Sequence, residues 1–253
     1  MIPKVNRRDG LTEEFARYEF KYVLNASQRE AIEEEVSHFM RYDGFAHAEM
    51  ENSYIVRSLY FDNETATHFR EKTEGIRHRR KFRIRTYGRE FDQGTPIYLE
   101  EKGRHIDRTF KSRVRIEKGE MDSILRGENI GVPAVPNGGT DLFTKLAFDR
   151  LRKNIKPMVL VDYVRRPYTS NFDLNFRVTF DSHLTVLPST SLFPENDARW
   201  RRAVAGYTIL EVKFHRRIPL WFHRILKTYY LRRVSISKFC KGMEVCELAR
   251  DLS

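Results

Sequence analysis

Four short stretches of the chain alternate charged with apolar residues, and most of the charges are positive. They are Lys81-Phe82-Arg83-Ile84-Arg85, Tyr98-Leu99-Glu100-Glu101-Lys102, Lys111-Ser112-Arg113-Val114-Arg115-Ile116 and Leu210-Glu211-Val212-Lys213-Phe214. Successive side chains of a strand point to opposite faces, so this period of two predicts strands. Strand after strand, one face is apolar and the other carries Lys and Arg punctuated by Glu. That combination leaves few folds open. The apolar faces need a cover, and several cationic faces together make a surface for a polyanion.

The balance of charge agrees. Lys and Arg number 46 against 35 Asp and Glu, a net charge of +11. Such an excess favours a nucleic acid, an anionic membrane surface or a phosphate-rich small molecule. Two cysteines, Cys240 and Cys246, make no disulfide framework and suit a reducing compartment. No Cys/His set has zinc spacing, and no Gly-rich loop ends in Gly-Lys-Ser/Thr, which excludes a P-loop nucleotidase. Residues Met1 to Asp9 lack the apolar core of a secretory signal, and no run of eighteen apolar residues exists. A cytoplasmic protein is the expectation.

Patterning along the chain predicts a loose segment over residues 1–14 and a single domain over 15–253. Arg17 to Tyr22 reads as the first strand. Ser27 with Glu30 forms a capping box ahead of a helix to about Arg41. Ser53 to Phe61 reads as a strand, with Asp62 suited to cap a helix that stops at Gly75. The basic strands follow over 78–87, 96–102 and 110–117, then a helix over 120–126. Residues 131–140 form a Pro- and Gly-rich loop. Thr140 caps a helix to about Lys153 with Leu142, Leu146 and Leu151 inward. Strands are expected over 158–166, 175–181 and 207–215, with a long connection over 183–206. Pro219 opens a helix to Tyr230, whose Trp221, Phe222, Tyr229 and Tyr230 read as core.

About eight strands joined by turns and single helices predict a largely antiparallel sheet of α+β class. A closed barrel is the expected architecture, with helices packed outside on Phe82, Ile84, Val114, Ile116, Leu210, Val212 and Phe214. The charged residues then line a channel. Read by alternation, they are Arg17, Glu19, Lys21, Arg83, Arg85, Glu100, Lys102, Lys111, Arg113, Arg115, Arg165, Arg177, Glu211 and Lys213. Arg holds phosphate oxygens bidentately and Lys neutralises them as a point charge. Carboxylates among so many cations stay ionised and are natural ligands for Mg²⁺ or Mn²⁺.

The ordered set Glu19-Phe20-Lys21-Tyr22, Ser58 to Asp62, Lys81 to Gly88, Leu99 to Lys102, Lys111-Ser112-Arg113, Tyr163-Val164-Arg165, Leu210 to Lys213 and Ser237-Lys238-Phe239 resembles the VTC domain. That domain is the polyphosphate polymerase branch of the triphosphate tunnel metalloenzymes, the CYTH-like superfamily. The likeness spans residues 15–242. It implies an eight-stranded antiparallel tunnel in which the γ-phosphate of ATP joins a growing inorganic polyphosphate chain. Carried over motif by motif, Lys21, Arg83, Arg85, Lys102 and Lys213 become catalytic. Lys111, Arg113, Arg165, Ser237 and Lys238 become phosphate-binding. Glu211, with Glu100 and Glu19, becomes a ligand of Mn²⁺ or Mg²⁺.

The chain departs from the family in two ways. The eukaryotic relatives carry a regulatory domain and membrane helices that have no counterpart here, so a membrane partner at the inner face is an expectation of the family alone. Arg17 stands where hydrolytic tunnel enzymes show the first acid of a Glu-x-Glu-x-Lys run, which favours the polymerase over the triphosphatase. An inorganic or nucleoside triphosphatase of the same fold is the alternative. A non-enzymatic polyanion binder is the second alternative. Specific nucleic-acid binding is disfavoured, because the basic faces carry few aromatic stacking platforms.

Overall fold

The computed structural model describes residues 18–43, 50–92, 94–106, 108–128, 139–173, 175–195 and 198–251. Arg17 and the loop over 131–138 lie outside them. The elements run β1 (Tyr18–Leu24), α1 (Ala26–Phe39), β2 (Met40–Tyr42), β3 (Tyr54–Asp62), α2 (Thr67–Thr73), β4 (His78–Thr86), β5 (Ile97–His105) and β6 (Arg108–Ile116). They continue with α3 (Lys118–Arg126), α4 (Gly139–Lys153), β7 (Lys156–Ser170), β8 (Arg177–Pro188), β9 (Arg201–Arg202), β10 (Thr208–Phe214), α5 (Leu220–Thr228) and α6 (Lys238–Val245).

All strands join one antiparallel sheet of ten, in the order β1-β10-β8-β7-β3-β4-β5-β6, with β2 added to β7 and β9 to β8. The α+β class and antiparallel pairing are as expected, but the closed eight-stranded barrel is not. Among the described residues, β1 and β6 form no ladder. The segment before α6 occupies the outer edge of β1 instead: the Val234 N–H donates to the Lys21 carbonyl at 2.8 Å, and Lys21 Nζ reaches the Ile236 carbonyl at 3.2 Å. The sheet still curls far enough for Lys102 of β5 to meet Glu19 of β1 at 3.1 Å. An ion pair between side chains thus ties β1 to β5 across the concave face.

The two faces of the sheet separate as the alternation demands. Phe82, Ile84, Leu99, Val114 and Ile116 pack with Leu142 and Leu146 of α4 and with Met121 and Ile124 of α3. Leu210, Val212 and Phe214 pack with Ile32 and Val36 of α1 and with Phe222 and Ile225 of α5. Fully burying each such side chain contributes roughly 1.5–3 kcal/mol, so the outer helices are held by the strands they cover. Leu151 is 87% exposed and Tyr230 88% exposed, so neither belongs to the core expected of them. Leu151 lies near the C-terminal end of α4, and Tyr230 sits past the end of α5 in the left-handed region at φ 51°.

Three local features also differ from expectation. The capping box of α1 uses Asn25 and Gln28 in place of Ser27 and Glu30. The span over 183–206 is partly strand, because β8 runs on to Pro188 and pairs with β9. Helix α6 is additional, and it lies on the charged, concave face of the sheet. Gly242 makes that seat possible: a Cβ there would stand 3.1 Å from Val159 and 3.3 Å from Val161. Asp62 does serve α2, accepting from the His68 and Phe69 N–H groups at 2.9 and 3.1 Å.

Candidate active site

The concave face holds a cavity of about 80 Å³ that opens to solvent. Strand alternation delivers its lining. Lys21 and Glu19 come from β1, Arg83 and Arg85 from β4, Lys102 from β5, Arg165 from β7, and Glu211 and Lys213 from β10. Ser237 and Lys238 arrive from the start of α6. Ten of the thirteen site residues expected from the sequence therefore share one cavity. Glu100, Lys111 and Arg113 do not line it. Glu100 is fully buried in the wall behind, where its oxygens meet Arg83 at 2.6 Å and Lys111 at 2.7 Å. Arg113 lies over the Tyr98 ring at 4.8 Å. Two other channel candidates also lie elsewhere: Arg177 pairs with Asp43 at 2.8 Å, and Arg115 is exposed.

Four lining residues escaped the sequence reading. Lys81, Tyr60, Tyr163 and Phe239 all border the cavity. Lys81 had the right signal, since it alternates with Arg83 and Arg85. Asp181, buried in the wall, escaped as well. It alternates with Arg177 and Thr179 on β8 and forks onto Arg165, with Nε and Nη2 each 2.6 Å from a carboxylate oxygen. Arg57 turns out to serve the outer wall, where Asp162 holds it at 2.9 and 2.8 Å.

The carboxylates organise the cations. Glu211 meets Lys238 at 2.7 Å, Arg165 at 3.1 Å, Lys21 at 3.5 Å and Lys213 at 3.8 Å. Glu19 meets Lys21 at 3.2 Å and Lys102 at 3.1 Å. Burial alone would raise the carboxyl pKa of Glu211, but Lys238, Lys21 and Arg165 hold it well below the ordinary value. Lys102 and Lys21 do the same for Glu19, and Arg83 and Arg85 for Glu100. The converse holds for lysines without enough negative charge. Burial presses Lys213 down to about 8 against the opposing pull of Glu19 and Glu211. Burial would raise the Tyr60 phenol, yet Arg83, Arg85 and Lys81 bring it down to about 7. Arg83 Nη1 also donates to that hydroxyl at 2.9 Å.

Eight cations line the cavity against two lining carboxylates, Glu19 and Glu211. With Glu100 and Asp181 in the wall behind, positive charge remains in excess. Among the described residues, no three Asp, Glu, His or Cys side chains converge on one point. Glu19 and Glu211 do approach each other through their shared Lys21. Mg²⁺ commonly takes one or two carboxylates and completes its shell with phosphate oxygens and water. The donor set present fits that mode of binding, with Glu100 excluded from it.

The VTC domain matches residues 16–247. The chain belongs to the VTC domain family. Among curated VTC relatives, subunit 4 of the vacuolar transporter chaperone complex of Trypanosoma brucei is 22% identical over 223 residues, covering 74% of this chain. The chain spans only 28% of that relative's length. Among solved structures, an adenylate cyclase-like protein of Bacillus halodurans superposes with a TM-score of 0.52 at 12% identity, covering 88% of this VTC domain and 96% of that chain. That likeness shows the fold. A Pyrococcus horikoshii protein gives a TM-score of 0.46 at 15% identity, covering 90% and 98% of the two chains. No helix among the described residues of this VTC protein is long and apolar enough to cross a membrane.

Proposed function

We propose that the protein is a divalent-metal-dependent phosphotransferase that moves the γ-phosphoryl group of ATP onto inorganic polyphosphate. The observation that carries this reading is the single cavity with eight cationic side chains and too few carboxylates to neutralise them. The family supports polyphosphate chemistry. Residues 15–253 are read as one catalytic unit, because one sheet runs from β1 to β10.

Phosphoryl transfer needs little covalent chemistry from a protein; it needs positioning and charge neutralisation. Arg83, Arg85 and Arg165 offer planar forks to equatorial phosphate oxygens, and Lys21, Lys102, Lys213 and Lys238 offer point charges. The Ser237 hydroxyl accepts from the Cys240 N–H at 3.3 Å, which leaves its own proton for a phosphate oxygen. The N-terminus of α6 adds its partial positive charge at the same point. Glu211 and Glu19 would hold Mn²⁺ or Mg²⁺, which would supply positive charge to offset that developing on the leaving ADP. The attacking group is a terminal phosphate oxygen of the acceptor chain, so no side-chain nucleophile is required. The trypanosome relative is named as a complex subunit, which supports a partner subunit for this chain.

The test is incubation with ATP and Mn²⁺ followed by product sizing. Long phosphate polymer with matching ADP is expected. Orthophosphate without polymer would assign the cavity to a triphosphatase.

A further inference from the structure

Lys81 stands apart from every other cation of the cavity. Glu19 meets Lys21 and Lys102 at 3.2 and 3.1 Å, and Glu100 meets Arg83 and Arg85 at 2.6 and 3.9 Å. Asp181 meets Arg165 and Lys238 at 2.6 and 2.5 Å, and Glu211 meets Lys213 at 3.8 Å. Among the described residues, Lys81 has no carboxylate within that range. Its ammonium lies over the Phe239 ring at 4.9 Å and the Tyr60 ring at 5.7 Å. Aromatic faces attract a cation, but they do not neutralise it.

An anion entering the cavity competes with carboxylates for the paired cations. At Lys81 it competes with no carboxylate, and the acidic hydroxyl beside it, Tyr60, is held by Arg83 at 2.9 Å. We propose that Lys81 is the anchoring cation of the cavity, and that a triphosphate-class anion binding there draws a proton from solvent onto its amine. This rests on the reading of the cavity as a phosphate site. It adds to that reading a residue and a proton count.

The surroundings of Lys81 support the proton count. Tyr60 faces it from β3, Arg83 shares its strand, Lys102 faces it from β5, and Phe239 and Cys240 face it from α6. Burial presses the ammonium down to about 8, with Tyr60 and Cys240 opposing and Lys102 and Arg83 adding to the shift. A phosphate group supplies the missing negative charge and restores the protonated form. The step is R–NH₂ plus a buffer proton giving R–NH₃⁺, with no other bond made or broken.

Calorimetric titration of the full chain with tripolyphosphate, without metal, tests this at pH 8 in two buffers of different ionisation enthalpy. The apparent enthalpy should differ between the buffers, reporting net proton uptake. Lys81→Met should weaken binding by about tenfold to a hundredfold, as loss of a charge-assisted phosphate contact does. It should also reduce the uptake, because burial leaves the Lys81 amine partly deprotonated near this pH. Lys81→Arg should keep affinity within about threefold while losing the same share of uptake, because Arg stays charged. A merely structural lysine would not separate affinity from proton count in this way. Wild-type affinity and uptake in Lys81→Met, or unchanged uptake in Lys81→Arg, overturns the role of Lys81 alone. Absence of binding in the wild type overturns the phosphate cavity itself.

Discussion

Glu211 pairs with Lys238, Arg165, Lys21 and Lys213 from one buried position. Its removal therefore does more than delete a metal ligand. Breaking a buried ion pair by losing one partner costs about 3–5 kcal/mol, because the other charge stays buried. Glu211→Ala should lower unfolding stability by that order in urea and abolish turnover. Glu211→Gln keeps the shape, and should also lose turnover. A stability loss near zero in the alanine variant would mean that water already screens these four cations.

At the scale of elements, the β5–β6 hairpin offers a sharp test. A Cβ on Gly103 would fall 2.0 Å from the Phe110 ring, which lies across from it in the ladder. Gly103→Ala should cost about 1–3 kcal/mol through overpacking. Adding Phe110→Ala should recover part of that loss, and strict additivity of the two changes would remove the clash as the cause. The strands around this site were legible because alternation is local. One residue pair shows how far that reach extends: Arg83 and Glu100 are each placed inward by their own strands, and the ladder then pairs them. Sheet closure was not legible. Alternation assigns faces, whereas the edge of β1 was settled by Val234, more than two hundred residues away. Helix α6 was hidden for another reason. Its eight residues carry Gly242 in the interior, a poor helix former kept for close packing on β7. Alternation places Lys81 on the concave face, but nothing local marks a cation that lacks a carboxylate.

For the whole molecule, the charged interior sets how stability follows pH. Glu19, Glu100 and Glu211 have folded-state pKa values well below 4.5. Their contribution is present above the unfolded value and is lost as pH falls through that range. The melting temperature should therefore drop steeply below about pH 4.5. Lys81 and Lys213 are lowered from 10.5 to about 8, and Tyr60 from 10.0 to about 7. The unfolded chain binds more protons than the folded one between those limits, so stability rises with pH there. In phosphate-free buffer the melting temperature should be higher at pH 9.5 than at pH 7.5. Saturating tripolyphosphate should raise it at pH 7.5 and shrink the difference. A melting temperature that falls steadily from pH 7.5 to 9.5 would contradict this account of the interior.

The unclosed sheet also bears on how copies of the chain treat one another in solution. Among the described residues, β6 ends the strand order with no partner on its outer side. A bare edge of this kind is a template for pairing with another molecule and for aggregation. Lys111, Arg113 and Arg115 stand along that edge strand, and like charges brought edge to edge repel. The alternation thus serves two ends. On the inner strands its cations attract an anion to the concave side, and on β6 they keep one molecule's edge from being completed by the next.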